Sequence, residues 1–330
     1  MTYLDYINQH TTFFTSSVPY HCELVMSNIT LQPIGLVDAS KRYWAQRIDT
    51  TAMLRFKNIT YALPPDFTSY IEFDGGSQYF PRGTMTYHPP AAATTLFANY
   101  GTITDLRVKF EQDVFPTYAR LREIFHTYAT EAHDHYDQVL NILGILRASI
   151  VATNTHSAAD LETLRTLVDA RVDLSSRMKD NANSIVDSLQ KINSSLSACI
   201  KNINQSVADL DVFCVFTADE KKRIENPDTI NISGFAEKYA LVQLGYKPIA
   251  NLVTEDVQAV VDEIGPATTE MQEELGRWDN ITQDLTSILS YITNEEAATV
   301  QIIAKLDNAQ ILERWQELGG IVIQAENSQD

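Results

Sequence analysis

One run of apolar residues, repeating at steps of three and four, constrains the fold of this chain more than any other feature. It lies within residues 157–210. The recurring residues are Ile185, Leu189, Ile192, Leu196, Cys199, Ile203 and Leu210. This spacing places all of them along one side of an α-helix. A helix of this length would measure about 80 Å at 1.5 Å per residue, so its apolar side needs other helices to cover it.

The start of this helix is marked by a capping pair. Ser157 and Asp160 stand three residues apart, and at this spacing the serine side chain can accept a hydrogen bond from a free backbone N–H of the first turn. Small polar residues fill positions 153–156 just before it. We therefore predict that the preceding helix ends there and that the chain turns back.

The stretch before this turn has nearly the same rhythm. Its apolar positions are Val114, Tyr118, Leu121, Phe125, Tyr128, Ala132, Val139, Leu143, Leu146 and Ile150. Because proline is compatible with a helix only in the first turn, Pro116 predicts that the regular helix begins near Asp113.

Helical rhythm returns after residue 252. The first stretch carries Val253, Val257, Val260, Ile264, Met271, Leu275, Trp278, Ile281, Leu285, Ile288 and Ile292. Gly265 and Pro266 should kink or break it, and Thr293 with Glu296 forms another capping pair at a short joint. The last stretch carries Val300, Ile303, Leu306, Ile311, Trp315, Leu318 and Val322. Gly319 and Gly320 should end its regular part.

The first hundred residues have a different character, with most of the prolines and several short apolar runs. Residues 22–26, 53–56 and 70–73 resemble strands, and residues 74–76 (DGG) form a turn signal. We predict a small β-rich or irregular region here.

These patterns predict a mainly α protein: an elongated bundle of long amphipathic, coiled-coil-like helices with a small β-rich or irregular N-terminal region. The predicted domains are an N-terminal domain over 1–104, a long helical hairpin over 105–211, an apolar insert over 212–252, and C-terminal helices over 253–330 that complete the bundle.

The insert, residues 212–252, cannot bury its apolar residues in the main helical seam. They are Val212, Phe213, Val215, Phe216, Phe235, Tyr239, Leu241, Val242 and Leu244. Two interpretations remain open: a small local core, or a membrane-contacting surface that is covered in the soluble state. Residues 139–152, the most continuous apolar stretch although Asn141 and Arg147 lie inside it, compete for the second role, but buried bundle core explains them better.

Composition excludes several classes of function. A net charge of −18 repels a phosphate backbone, so no nucleic-acid partner is expected. The three cysteines lack the spacing of a zinc site or a disulfide framework. We find no classical signal peptide and no apolar run that could span a bilayer, so we expect a soluble protein.

No pattern in the chain indicates an enzyme. The GxSxG, HExxH and Walker patterns are missing. Glu131, His133 and His135 cluster on one predicted helix. Polar residues on a water-facing surface explain this cluster better than a metal site does, since no third ligand is placed. We therefore expect no catalytic activity, no cofactor and no metal.

The arrangement resembles the α-helical pore-forming toxins of the cytolysin A type, and most closely the two-component xenorhabdolysin type. The resemblance rests on very long helices, an apolar insert between two of them, and a last helix with a tryptophan (DNAQILERW, residues 307–315). It implies a soluble toxin or toxin component, released without a classical signal peptide. Such a protein would rearrange and form homo- or hetero-oligomers on a target-cell membrane, with a possible second component. The alternative is a coiled-coil scaffold or adhesin that binds a protein partner through residues 1–104.

Overall fold

The structure, a computed structural model, is mainly helical, which confirms the predicted fold class. It describes residues 29–37, 40–43, 58, 60, 63–73, 88–153, 155–224, 235–294, 300 and 303–327. Within these residues the β pairing is limited to an isolated antiparallel bridge between Val37 and Tyr43. The predicted strands at 22–26 and 53–56 and the turn at 74–76 lie outside the described residues.

The helices follow one another in a simple order. They are α1 (Phe67–Phe73), α2 (Ala91–Lys109), a π-helical turn (Phe110–Val114), α3 (Phe115–Thr153), α4 (Ala158–Phe213), α5 (Ala218–Ile224), α6 (Phe235–Gln243), α7 (Tyr246–Asn294) and α8 (Asn308–Asn327). The predicted turn before α4 is confirmed, because α3 ends at Thr153 and the backbone N–H of Asp160 donates to Ser157 Oγ at 3.3 Å.

The chain divides into two compact units. The first comprises Met1–Tyr43, Glu123–Asp180 and Glu274–Asp330. The second comprises Trp44–Arg122 and Asn181–Glu273. By these bounds α3, α4 and α7 each contribute residues to both units, and each unit has its own buried core.

The core of the first unit is an aromatic cluster. The indole of Trp315 on α8 stacks on Tyr136 of α3, with 4.7 Å between ring centroids. Trp278 of α7 meets Tyr128 edge-on at 4.8 Å. Because such ring pairs add specific geometry to apolar burial, the cluster fixes α3, α7 and α8 in register. Its tryptophans and Tyr128 were predicted apolar positions, whereas Tyr136 was not.

A buried arginine lies inside this cluster. Arg171 of α4 is 1% exposed, and its Nη1 donates to the backbone oxygen of Tyr128 at 3.2 Å. Its guanidinium also lies 4.6 Å from the Tyr128 ring centroid, a cation–π distance. Burial raises the pKa of Tyr128 to about 12 and lowers the pKa of Arg171.

The second unit contains the apolar seam of α4. Every predicted seam residue is 5% exposed or less: Ile185, Leu189, Ile192, Leu196, Cys199, Ile203 and Leu210. The position that the apolar pattern skips is held by Ser206, which is also buried. The seam prediction is therefore confirmed, and a small polar side chain completes it.

The predicted strand at residues 70–73 is wrong, since these residues belong to α1. Asp66 Oδ1 accepts a hydrogen bond from the backbone N–H of Ser69 at 2.7 Å, which is a helix cap. Tyr70 and Ile71 are both buried, and the Tyr70 ring lies 5.0 Å from the Phe97 ring of α2. Asp66, which follows Pro64 and Pro65, is a helix-capping residue that the sequence analysis missed.

The predicted helix start near Asp113 is also wrong, because helix runs on from α2. The wider π turn precedes Pro116, and the Phe115 N–H bonds back to the carbonyl of Phe110, five residues earlier. Such a turn absorbs the missing N–H of proline without ending the helix.

Pro266 does not break α7. The flanking Ile264 and Thr268 are buried, and tertiary burial outweighs the helix cost of proline, about 3 kcal/mol. In the same helix one predicted seam position is wrong. Glu274, 5% exposed and bound to Arg277 Nη1 at 3.0 Å, takes the buried position, while the predicted Leu275 is half-buried.

Gly319 and Gly320 do not end the last helix. Both lie inside α8. A Cβ added at Gly319 would meet the backbone oxygen of Ala129 at 3.0 Å, whereas one added at Gly320 would meet nothing within 4 Å. Gly319 therefore permits a close approach of α8 to α3.

This contrast generates a test with two adjacent residues. Gly319→Ala should destabilise the protein by about 1–3 kcal/mol, because a backbone oxygen cannot move aside easily. Gly320→Ala should stabilise it by about 0.5–1 kcal/mol through helix propensity. Urea unfolding of both variants beside the parent measures the difference. Equal stabilisation by both alanines would contradict the close approach.

Candidate functional site

The nine residues predicted to contact a membrane fall into three groups. Three valines are exposed: Val212 at 78%, Val215 at 67% and Val242 at 38%. Four residues are half-buried: Phe213, Phe216, Tyr239 and Leu244. Two are buried: Phe235 and Leu241. The insert thus has both a local core and an apolar exterior.

The local core is built around the rings of the insert. Phe216 meets Phe235 edge-on with 6.0 Å between centroids, and Tyr239 lies 6.3 Å from Phe235. Phe235 is 5% exposed and Leu241 is fully buried. The buried residues of α6 and the rings that contact them therefore form a small local core, which is one of the two interpretations of the insert.

Lys238 holds this core together, although no sequence pattern singled it out. Its Nζ donates to the backbone oxygen of Val215 at 3.1 Å and to both carboxylate oxygens of Glu220 at 3.0 and 3.1 Å. The same Nζ lies 5.5 Å from the Phe213 ring centroid and 5.7 Å from that of Phe216. Lys238 is 9% exposed, so one buried cation joins the end of α4, α5 and α6.

Glu220 is fixed by a capping box as well as by Lys238. The backbone N–H of Thr217 donates to Glu220 Oε2 at 2.7 Å, and the backbone N–H of Glu220 donates to Thr217 Oγ1 at 3.2 Å. The Thr217 N–H and then Lys238 lower the pKa of Glu220. A Thr-x-x-Glu signature therefore marked this site in the sequence and was missed.

A second contact joins the two ends of the insert. Tyr246 Oη donates to Asp211 Oδ1 at 2.7 Å, and Lys247 Nζ donates to Asp211 Oδ2 at 2.6 Å. These bonds, Lys247 first, lower the pKa of Asp211. Nearby, burial raises the pKa of Cys214 to about 11, so its thiol stays protonated at neutral pH.

The inner side of α6 is anchored to the rest of the second unit. The hydroxyl of Tyr70 on α1 donates to the backbone oxygen of Leu241 at 3.4 Å. The backbone N–H of His88 donates to Glu237 Oε1 at 2.8 Å, and Glu237 is 1% exposed. The side of α6 that carries Glu237 and Leu241 is therefore covered within the second unit.

The exposed residues of the insert, here called its outer side, are apolar and charged. Val212 and Val215 lie at the α4–α5 junction and Val242 lies at the end of α6. The Lys238 contacts join that junction to the middle of α6. The last turn of α5 carries Lys221, Lys222 and Arg223, all exposed. The first turn of the same helix carries Asp219 and Glu220, so the positive charge is confined to the last turn of α5.

The competing stretch, residues 139–152, has two different sides. Val139, Leu143 and Leu146 are buried, as bundle core requires, whereas Ile145 is 50% exposed and Val151 is 70% exposed. Over the described residues, no helix is long and apolar enough to cross a membrane.

The structure does not bring Glu131, His133 and His135 together around one point. His133 Nδ1 lies 2.9 Å from Asp134 Oδ1, and His135 Nε2 donates to the backbone oxygen of Leu167 at 3.1 Å. Burial, and then the charge of Arg171, lowers the pKa of His135. Among the described residues there is no cluster of three His, Cys, Asp or Glu side chains that could hold a metal ion.

Comparison with known proteins gives a general likeness. No protein-family model matches the chain, and no curated protein sequence matches it. It is similar to a solved structure of soluble SmhA, from the tripartite α-pore-forming toxin Smh of Serratia marcescens, with a TM-score of 0.41, 12% identity, and coverage of 91% of this chain and 95% of that one. A second crystal form gives a TM-score of 0.38, 14% identity, and coverage of 92% and 96%. TM-scores near 0.4 do not assign the chain to a family.

The Lys238 contacts generate a stability test. Lys238→Met should destabilise the protein by about 1–3 kcal/mol, because it leaves Glu220 and the Val215 carbonyl without their shared donor. Lys247→Met is the matched control. It breaks an ion pair whose two side chains are 51% and 41% exposed, so it should cost less than about 1 kcal/mol. Equal losses in urea unfolding would contradict a central role for Lys238.

The lowered pKa of Glu220 generates a pH test. A carboxyl group whose pKa is lower in the folded state contributes stability above its unfolded pKa and loses it as the pH falls through the folded pKa. Glu220→Gln should therefore be less stable than the parent at pH 7, and the difference should shrink as the pH falls below the usual pKa of glutamate and through the lowered pKa of Glu220. A difference that stays constant over this range would contradict the charge-dependent contact.

Proposed function

We propose that this chain is a non-catalytic, membrane-acting protein, an α-helical pore-forming toxin or toxin component that meets a target bilayer with the outer side of its insert. The observation that carries the proposal is the exposure of Val212, Val215 and Val242 on a segment with its own local core. A segment of this kind can change its contacts while the α4 seam stays buried.

The free energy available from the valines limits how the insert can act. A fully buried valine gains about 1.5 kcal/mol, the lower end of the range for apolar side chains. Three valines therefore support reversible contact with a bilayer rather than stable insertion. Deeper insertion requires the half-buried rings of Phe213 and Phe216 to leave their places beside Lys238.

This limit favours assembly over the action of single molecules. Several protomers would add their weak lipid contacts and gain contacts with one another, as in a ring. The proposal therefore includes oligomerisation on the membrane, with other copies or with a second component. SmhA is itself one component of a tripartite toxin.

The cations of α5 set the lipid preference that we expect. Each Lys or Arg near an anionic surface contributes about 1 kcal/mol, and this contribution falls with added salt. The net charge of −18 opposes the same surface. We therefore propose that contact is local, through α5 and the valines, and that anionic lipid strengthens it only modestly.

The proposal predicts the behaviour of two matched variants. Val212→Ser, Val215→Ser and Val242→Ser together should leave the helical content unchanged, because these side chains are exposed, and should reduce liposome flotation and dye release at least tenfold. The control carries Ile145→Ser, Val151→Ser and Ile323→Ser, which replace exposed apolar residues of the first unit. It should act like the parent.

The outcomes separate the competing interpretations. If the control loses activity and the insert variant keeps it, the contact surface lies outside the insert. If the parent binds neither phosphatidylcholine vesicles nor vesicles with phosphatidylglycerol, and does not lyse erythrocytes, the pore-forming proposal fails. The coiled-coil scaffold or adhesin would then be the better explanation.

A further inference from the structure

Residues 29–37 and 40–43, here named the clasp, cross three helices of the first unit without forming a helix themselves. Their position is fixed by bonds to side chains far along the chain. The indole Nε1 of Trp315 on α8 donates to the backbone oxygen of Leu31 at 2.8 Å. Asp284 Oδ2 on α7 accepts from the backbone N–H groups of Thr30 at 2.9 Å and Leu31 at 3.1 Å.

The other end of the clasp is held by ring stacking and burial. The Tyr43 ring is parallel to that of Phe125 on α3, with 5.3 Å between centroids and 5° between planes. Leu31 and Leu36 are fully buried, and Tyr43 is 1% exposed. The clasp therefore ties α8 to α7 and α3 at the edge of the aromatic core.

Holding the clasp closed has identifiable costs. Leu31 and Lys41 have φ angles of 52° and 59°, a region that side chains with a Cβ rarely adopt. Burial raises the pKa of Asp284, although the N–H groups of Thr30 and Leu31 act in the opposite direction. The outermost contact, Lys41 Nζ to Glu317 Oε1 at 3.0 Å, is solvent-exposed and therefore weak.

The helix that the clasp contacts, α8, carries part of the aromatic core. Trp315 is fully buried and packs on Tyr128 and Tyr136, so moving α8 would expose a group of large aromatic rings. Such rings favour the interface between water and lipid. The clasp joins α8, which carries Trp315, to α3 and α7, the helices from which α8 would separate.

We propose that the clasp is a releasable latch on α8, and that its opening frees α8 from α3 and α7 before the protein rearranges on a bilayer. The rearrangement on a bilayer rests on the proposed function, whereas the latch on α8 does not. Local opening of a segment without regular structure needs no unfolding of the long helices.

The latch itself is tested in solution by hydrogen exchange. Trp315→Phe removes the bond to Leu31 and keeps an aromatic ring, and Asp284→Ala removes both backbone bonds. Each should speed exchange at least tenfold in peptides that cover the clasp and in α8. Asp284→Asn, which retains an acceptor oxygen, should show a smaller effect.

Trp278→Phe is the matched control, because Trp278 lies in the same aromatic cluster and contacts Phe125 and Tyr128. It should leave α8 exchange within about twofold of the parent. If exchange of the clasp quickens in the two test variants while α8 keeps its parental protection, the clasp does not hold α8 and the proposal is overturned.

The link to membranes is tested by locking the clasp. Lys41→Cys and Glu317→Cys, in a background with Cys22, Cys199 and Cys214 replaced by Ala, would be joined by a bismaleimide linker that contains a cleavable disulfide. The linked protein should release liposome dye at least tenfold more slowly than the unlinked variant, and reductant should restore the rate.

The two failures are distinguishable. If the unlinked protein is active and the linked protein is equally active, the latch has no part in membrane action while the proposed function stands. If the parent is inactive on every vesicle, the proposed function fails, and the exchange experiment still decides whether the clasp holds α8.

Discussion

The burial of one apolar side along each long helix is the constraint on which the rest of the structure depends. In α4 this side reaches from Ile185 to Leu210 with every predicted position buried. Polar residues are also buried among these apolar sides: Ser206 on α4 is small, and Glu274 on α7 is paired with Arg277.

Periodicity predicted the long helices well because it reports burial directly. It failed where a single contact determines the secondary structure. Residues 70–73 have the composition of a strand, yet the Asp66 cap and burial beside Phe97 make them helical. Glycine is common at helix ends, yet Gly319 lies inside α8 at the place where this helix approaches Ala129 of α3. Neither contact is visible in a sequence pattern.

The sequence predicted which apolar residues belong to the insert, and it did not predict which of them are exposed. The sequence located the apolar residues of the insert, but it did not separate the exposed Val212 and Val215 from the buried Phe235 and Leu241. That division depends on Lys238, whose partners Val215 and Glu220 are 23 and 18 residues away. A charged residue in the middle of α6 gave no sign that it would be buried beside two phenylalanines.

The proposed membrane action requires that the outer side of the insert enters lipid. The most direct measurement is the emission of an environment-sensitive NBD label at Val215→Cys, with Cys22, Cys199 and Cys214 replaced by Ala. The same label at Ala198→Cys, an exposed position of α4, is the reference. We predict that vesicles shift the emission of the first label to the blue and that brominated lipid quenches it, with little change in the second. Equal responses from the two labels, or none from either, would contradict membrane contact through the insert.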